Sequence, residues 1–273
     1  MSRLAFIGAG SVSEALIAGI TGSRLYQPHD ILVTNRTSDE HLQTLAERYG
    51  VTASRDPELL KTAETVILAV KPKDMAEALE SHRFWLKERR LIISVAAGIS
   101  LAYLRKMIGD EPSLIRAMPN TSAIVRQSLT GMALEEAKRT DDTELAESIF
   151  ACIGKVFIVS EDQMDAITAL TGSGPAFIYF LVEAMIEAGK KLGFTAHEAR
   201  SLVSYTLYGA GTMLMTLPDD PATLRERITS PAGTTASGLA VLNEKDVYNA
   251  LIQAVLAAHA RARELGQTNT FTR

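Results

Sequence analysis

One stretch constrains this chain more than any other: an apolar run that ends in glycine, turns through a second glycine and enters a helix. It reads "RLAFIGAGSVSEALIAG", from Arg3 to Gly19. Gly8 and Gly10 stand at the first two positions of a G-x-G-x-x-G pattern, and Ser13 at the third. In that pattern the first glycine permits a tight exit from the strand. The second lets the backbone approach a pyrophosphate, and the third position needs a small residue for close helix–strand packing. The helix start, at Ser11 and Val12, offers free N–H groups and a favourable dipole to phosphates. Two glycines alone are weak; following a strand and opening a helix at the first βα turn, they predict dinucleotide binding.

The rest of the first half repeats the alternation. "DILVTN", "AETVILAV", "RLIISVAAG" and "SLIRAMP" are continuous apolar runs, as expected of strands buried on both faces. Helical patterns separate them, which predicts βαβ units and a doubly wound, mainly parallel sheet of Rossmann type. "LTGMALE" and "GKVFIVS" read as two closing strands, with a helix over "DDTELAESIFAC" between them. After Ser160 the texture becomes helical, in "EDQMDAITALTGSGPAFIYFLVEAMIEAGKKLGF", "TAHEARSLVSYTLYGAGTMLMTL" and "KDVYNALIQAVLAAHARARELG". The expected division is therefore 1–160, an α/β nucleotide-binding domain, and 161–273, an all-helical domain. Asp162 and Thr195 are the expected N-caps. Tyr179, Phe180, Met185, Met213 and Met215 read as core or interface filling, Cys152 as a core thiol, and the tail "QTNTFTR" as frayed.

The end of the second strand chooses between cofactors. NAD sites place an Asp or Glu there for the ribose hydroxyls; here "VTNRTSDE" puts Asn35 in that place, followed by Arg36 and Thr37. A guanidinium and hydroxyls suit a 2′-phosphate that a carboxylate would repel, so NADPH is expected over NADH. Later strand ends add to the same carboxyl edge. "AVKP" places Ala69, Val70, Lys71 and Pro72 there to line ribose and nicotinamide, and "RAMPN" brings Met118, Pro119 and Asn120. Lys71 and Arg116 are read equally as ligand contacts or as structural charges.

Composition narrows the class. The net charge of −4 and the absence of a Lys/Arg stripe argue against nucleic acid. No apolar run is expected to reach the roughly 20 residues of a membrane span, and the N-terminus lacks a signal-peptide pattern. One cysteine allows no intrachain disulfide, which fits a reduced, cytoplasmic setting. No histidine has metal-like spacing with Cys or acids, so no metal is expected.

"TSPAGTT", Thr229–Thr235, is uncharged and rich in hydroxyls, between helical patterns. By itself it reads either as a ligand turn or as a helix cap. Taken in order, "FIGAGSVSEALIAG", "AVKP", "RAMPNT", "LTGSGPAFIYFLVEA" and "TSPAGTT" resemble the pyrroline-5-carboxylate reductases over nearly the whole chain. The resemblance implies NADPH-linked reduction of a cyclic imine, L-1-pyrroline-5-carboxylate, to L-proline, the last step of proline synthesis. It implies a homodimer through the C-terminal helices, with dimers building larger rings. It implies Ser230 and Thr235 as catalytic substrate contacts, with Gly233 and Thr234 offering donors to the carboxylate and Pro175 shaping the pocket. Two departures stand out: Arg126 and Ser128 follow "MPNT" where the family often has glycines, and Ala232 replaces the first glycine of "SPGGTT". A β-hydroxyacid dehydrogenase-like oxidoreductase and a non-catalytic NADPH-binding paralogue remain as alternatives.

Overall fold

The fold is that of a computed structural model describing residues 3–135 and 140–271, with side chains described as far as Gly266. β1 (Leu4–Ile7) leads into α1 (Ser11–Ser23), and β2 (Ile31–Thr34) into α2 (Asp39–Tyr49). β3 (Thr52–Ala53) and the single turn α3 (Pro57–Leu60) precede β4 (Thr65–Leu68) and α4 (Met75–Leu86). β5 (Leu91–Ser94), α5 (Leu101–Ile108), β6 (Ser113–Met118), β7 (Ser128–Leu134), α6 (Thr140–Ala151) and β8 (Gly154–Val159) complete the first part. The strands form one eight-stranded sheet in the order β3-β2-β1-β4-β5-β6-β7-β8, as expected of a doubly wound fold. Every pairing is parallel except β6 with β7, where Met118 faces Gly131 and Ile115 faces Leu134.

All four residues of β1, β2, β4 and β5 are buried. The pleat sends alternate side chains to opposite faces, so the sheet has two cores. Leu4, Phe6, Val33 and Ile67 pack on the side of α1. Ala5, Ile7, Val66 and Leu68 pack on the other, against Leu79, Leu86 and Leu104. Each fully buried Leu, Ile or Phe of this kind contributes about 1.5–3 kcal/mol of transfer free energy.

The remaining helices are α7 (Met164–Ile167), α8 (Gly174–Lys191), α9 (Ala196–Thr216), α10 (Pro221–Arg227), α11 (Thr234–Glu244) and α12 (Val247–Phe271). By compactness the chain divides into Met1–Gly172 with Ala258–Arg273, and Ser173–Ala257. In the second unit α8 packs on α9, where a Cβ on Gly189 would sit 2.9 Å from the Cβ of Ala199. Little else in it is covered. α8, α10 and α11 bury no residue, and α9 buries only Ala199 and Val203.

Several expectations are corrected here. Asp162 is not a cap: Ser160 is the N-cap, and the Gln163 side chain accepts from its N–H. Cys152 is half-buried at the core margin, its Sγ 3.0 Å from Ser23 Oγ. Tyr179, Phe180, Met185, Met213 and Met215 are all exposed in the single chain, so none fills its core. α12 extends to Phe271, and the last two residues of the tail lie outside the described ones. The helical run Glu161–Lys191 contains an 18-residue window with a mean hydropathy of 1.4, long and apolar enough by length and composition to cross a membrane. Its seven charged residues flank the uncharged stretch 166–182, so that stretch averages as apolar although short polar residues interrupt it.

Candidate functional site

The glycine turn is built as its residue types require. Gly8 has φ +111°, and a Cβ there would lie 2.4 Å from the Ala69 carbonyl oxygen, so only glycine fits between β1 and the end of β4. Gly10 is different. It is extended, exposed, and has open space where a Cβ would point, leaving room for a ligand to meet the backbone. Ser13 is fully buried and its Oγ donates to the Gly8 carbonyl at 2.7 Å, a bond that a third glycine could not make. α1 starts without a side-chain cap. Its first-turn N–H groups, at Ser11, Val12 and Ser13, are the ones a helix leaves without intrahelical partners. A dinucleotide pyrophosphate fits this open, uncapped terminus.

The loop after β2 lies at the same carboxyl edge. Asn35 is half-buried and braces its own loop: Nδ2 donates to Ser38 O and Oδ1 accepts from Ser38 N. Ser38 Oγ caps α2 by accepting from His41 N. Arg36 is exposed and pairs with Glu77 and, at 3.5 Å, with Asp74. Exposed pairs of this kind contribute about 0–1 kcal/mol, which leaves the guanidinium free to exchange partners for a phosphate. Thr37 is exposed beside it.

A second arginine, missed from the sequence, joins this group. Arg55 Nε donates to Asn35 O at 3.0 Å and its Nη2 to Asn35 Oδ1 at 3.2 Å, while Nη1 pairs with Asp39. The available signal was the sheet order. β3 lies parallel beside β2, so the loops following the two strands emerge side by side. Two guanidinium groups thus flank the position where NAD sites carry an acid.

Ala69 and Val70 are half-buried at the end of β4 beside Gly8, with Lys71 exposed as the N-cap of a short turn at Pro72–Asp74. Pro119 is buried and Met118 half-buried. Asn120 Oδ1 caps the following turn by accepting from Ser122 N, and its N–H donates to Ser128 Oγ. A Cβ on Gly172 would lie 3.1 Å from the Met118 methyl, so the π-helical turn Thr168–Gly172 closes on the "AMPN" strand end. π turns of this kind recur at functional sites. Arg116, in contrast, is a structural charge. It is buried and held by Glu161 at 3.0 Å and Asp165 at 3.4 Å.

In the second unit, "TSPAGTT" joins α10 to α11. Ser230 O accepts from Gly233 N at 3.0 Å, closing a tight turn whose interior residue Ala232 has φ +57°. A Cβ on Gly233 would lie 2.3 Å from Ser230 Oγ, so this glycine makes room for the serine hydroxyl. Gly233 is the N-cap of α11, with no side-chain cap. The capping reading of Ser230 and Thr234 is therefore corrected: α11 opens at Thr234, and neither hydroxyl bonds its N–H groups. Thr235 is half-buried in the first turn, while Ser230 and Thr234 are exposed. Pro175 occupies the first turn of α8, half-buried. Among the described residues no three His, Cys, Asp or Glu side chains are grouped to hold a metal.

Two family models match the chain. Residues 161–265 match the family model described as pyrroline-5-carboxylate reductase dimerisation. Residues 3–98 match that described as NADP oxidoreductase coenzyme F420-dependent. Pyrroline-5-carboxylate reductase 2 of Bacillus subtilis is 39% identical, covering 97% of this chain and 95% of its own. The Arabidopsis thaliana enzyme of the same name is 34% identical, over 97% and 96%. A pyrroline-5-carboxylate reductase structure from Coxiella burnetii superposes with a TM-score of 0.87 at 37% identity, covering 97% and 98%. The Plasmodium falciparum pyrroline carboxylate reductase, solved with NADP bound, gives 0.88 at 26% identity, also over 97% and 98%. A glycine turn open to a pyrophosphate, a hydroxyl-lined turn at an uncapped helix, and full-length identity of this order lead to one conclusion: the chain belongs to the pyrroline-5-carboxylate reductase family.

Proposed function

We propose that the chain reduces L-1-pyrroline-5-carboxylate to L-proline with NADPH, the last step of proline biosynthesis. The observation that carries this reading is the uncapped start of α11 behind the Ser230–Thr235 turn, in a chain of this family. The substrate is a cyclic imine bearing a carboxylate. Reduction adds hydride to the imine carbon and a proton to the ring nitrogen. NADPH, when bound, supplies the hydride. Gly8, Gly10, Ser11 and Val12 would hold its pyrophosphate, Arg36 with Asn35, Thr37 and Arg55 its 2′-phosphate. Ala69, Val70, Lys71, Pro72, Met118, Pro119 and Asn120 would line its ribose and nicotinamide.

The substrate side needs no strong acid, because an imine is basic enough to be protonated near neutrality. The N–H groups of Thr234 and Thr235, with the Ser230 hydroxyl, receive the carboxylate, which the helix dipole favours without a lysine; Gly233, whose own N–H closes the turn on the Ser230 carbonyl, makes room for that hydroxyl. The Thr235 hydroxyl hydrogen-bonds the ring nitrogen and holds its proton in place. Pro175 shapes the wall. Residues 161–273 serve as substrate and dimerisation domain and 1–160 as nucleotide domain. The exposed apolar side chains of α8 and α9 are covered by a second copy, giving a homodimer that can build further. The same pairing accounts for the apolar run Glu161–Lys191 without a membrane, in a cytoplasmic enzyme.

NADPH oxidation with pyrroline-5-carboxylate, run beside its six-membered homologue, tests the reading. Turnover of the five-membered imine is expected. NADPH binding with no turnover of either imine would favour a non-catalytic paralogue, and oxidation of a 2-hydroxyacid alone would favour the dehydrogenase reading. Thr235→Ala should lower kcat by about 10- to 100-fold, the worth of one hydrogen bond to a charged group, with little change in Tm. An unchanged kcat would remove Thr235 from the mechanism.

A further inference from the structure

His41, in the first turn of α2, reaches across to the glycine turn, where its Nε2 lies 2.5 Å from the Ala9 carbonyl oxygen. A carbonyl only accepts, so Nε2 carries the proton and donates. The described peptide bonds are all trans. In a trans peptide the carbonyl of one residue and the N–H of the next point in opposite directions. Holding the Ala9 carbonyl toward α2 therefore aims the Gly10 N–H the other way. Ala9 is buried, while Gly10 is exposed with open space about it. No other described side chain bonds the Ala9 carbonyl, and Ser13 holds only the Gly8 carbonyl.

From this geometry we infer that His41 is a positioning residue for the dinucleotide turn: it sets the Ala9–Gly10 peptide so that the Gly10 N–H faces the pyrophosphate. The inference rests on the nucleotide reading above and adds to it a residue outside the glycine pattern. His41 is itself held in place. Its backbone N–H donates to Ser38 Oγ at 3.1 Å, and Ser38 is clasped by the Asn35 side chain through two bonds of 2.9 and 3.1 Å. The loop carrying Arg36 and the turn carrying Gly10 are thus one hydrogen-bonded unit. The bond ends on the turn, so His41 acts on the part of the ligand that NADPH and NADH share.

The test is a fluorescence titration of the full chain with NADPH and with NADH, for the unmodified protein, His41→Ala and His41→Gln. Loss of one neutral hydrogen bond weakens binding about fivefold. The expected result is a loss of that size for both dinucleotides in His41→Ala, with kcat at saturating cofactor retained. Recovery is expected in His41→Gln, whose amide can donate to the same carbonyl. Unchanged affinity in His41→Ala, with only Tm lowered, would make the contact a packing feature and overturn the inference. A loss confined to NADPH would also overturn it, by placing the effect in the 2′-phosphate loop. If the unmodified protein bound neither dinucleotide, the nucleotide reading itself would fall, and this inference with it.

Discussion

The two compact units of this chain solve the burial problem in opposite ways. In the first, four strands are buried on both faces, and helices cover both sides of the sheet. In the second, long helices carry equally apolar residues and hide almost none of them: Phe180 is 71% exposed, Tyr205 79% and Met215 80%. Soluble monomers rarely expose contiguous apolar patches larger than a few hundred Å². The first unit buries its central strands within one chain and leaves isolated apolar residues such as Phe84 and Phe157 exposed; the second leaves most of its apolar helix surface uncovered.

The largest expected effect comes from breaking the second unit's surface. Phe180→Asp combined with Tyr205→Asp should weaken assembly by about a hundredfold or more, since buried aromatic anchors are each worth about 2 kcal/mol or more. Sedimentation would show monomers, while NADPH titration should be nearly unchanged. A variant that stays dimeric would place the interface on another face.

Next come the glycines of the first unit. Gly8→Ala should destabilise by about 2–4 kcal/mol in denaturant unfolding, combining backbone strain with collision on the Ala69 carbonyl. Gly10→Ala meets nothing, so stability should stay within about 0.5 kcal/mol, as at open surface sites. Its NADPH affinity should fall, because the methyl group enters the space a pyrophosphate would use. Equal loss of stability in both would mean that the two glycines serve the fold alone.

The smallest effect addresses a strain the two units share. Ala232 and Arg126 both adopt left-handed backbone, at φ +57° and +56°. Ala232→Gly should raise stability by about 1 kcal/mol, the usual cost of that conformation for a residue with a Cβ. Arg126→Gly should gain less, because Arg126 Nη2 donates to the Ala18 carbonyl and the variant loses that bond. A larger gain at Arg126 than at Ala232 would show that this bond contributes nothing.

Much of the first unit was legible because its signals are local. Continuous apolar runs gave the strands, and in the second unit Thr195 caps α9 with Glu198 in a reciprocal box. α1 spans Ser11–Ser23 as the pattern predicts. Ala232 stands in left-handed backbone, at φ +57°, a conformation that its Cβ disfavours. His41 and Arg55 were not legible. His41 meets the glycine turn across 32 positions, and Arg55 reaches Asn35 across 20. Neither residue type announces such a reach.

The sequence by itself determined the class of this protein: strand–glycine–helix at one end, hydroxyl turn and apolar helices at the other, in an order that marks a family. Those features follow from backbone freedom at glycine, periodicity and residue chemistry, each confined to a few positions. Only the tertiary structure decided that Arg116 is a structural charge, that Asn35 is flanked by two guanidinium groups, and that α11 begins uncapped. It also decided that aromatic residues which could equally have filled a core lie on the surface. The physical reason is one of range. Strand order and long side chains bring distant positions within 3 Å, and burial depends on every neighbour at once.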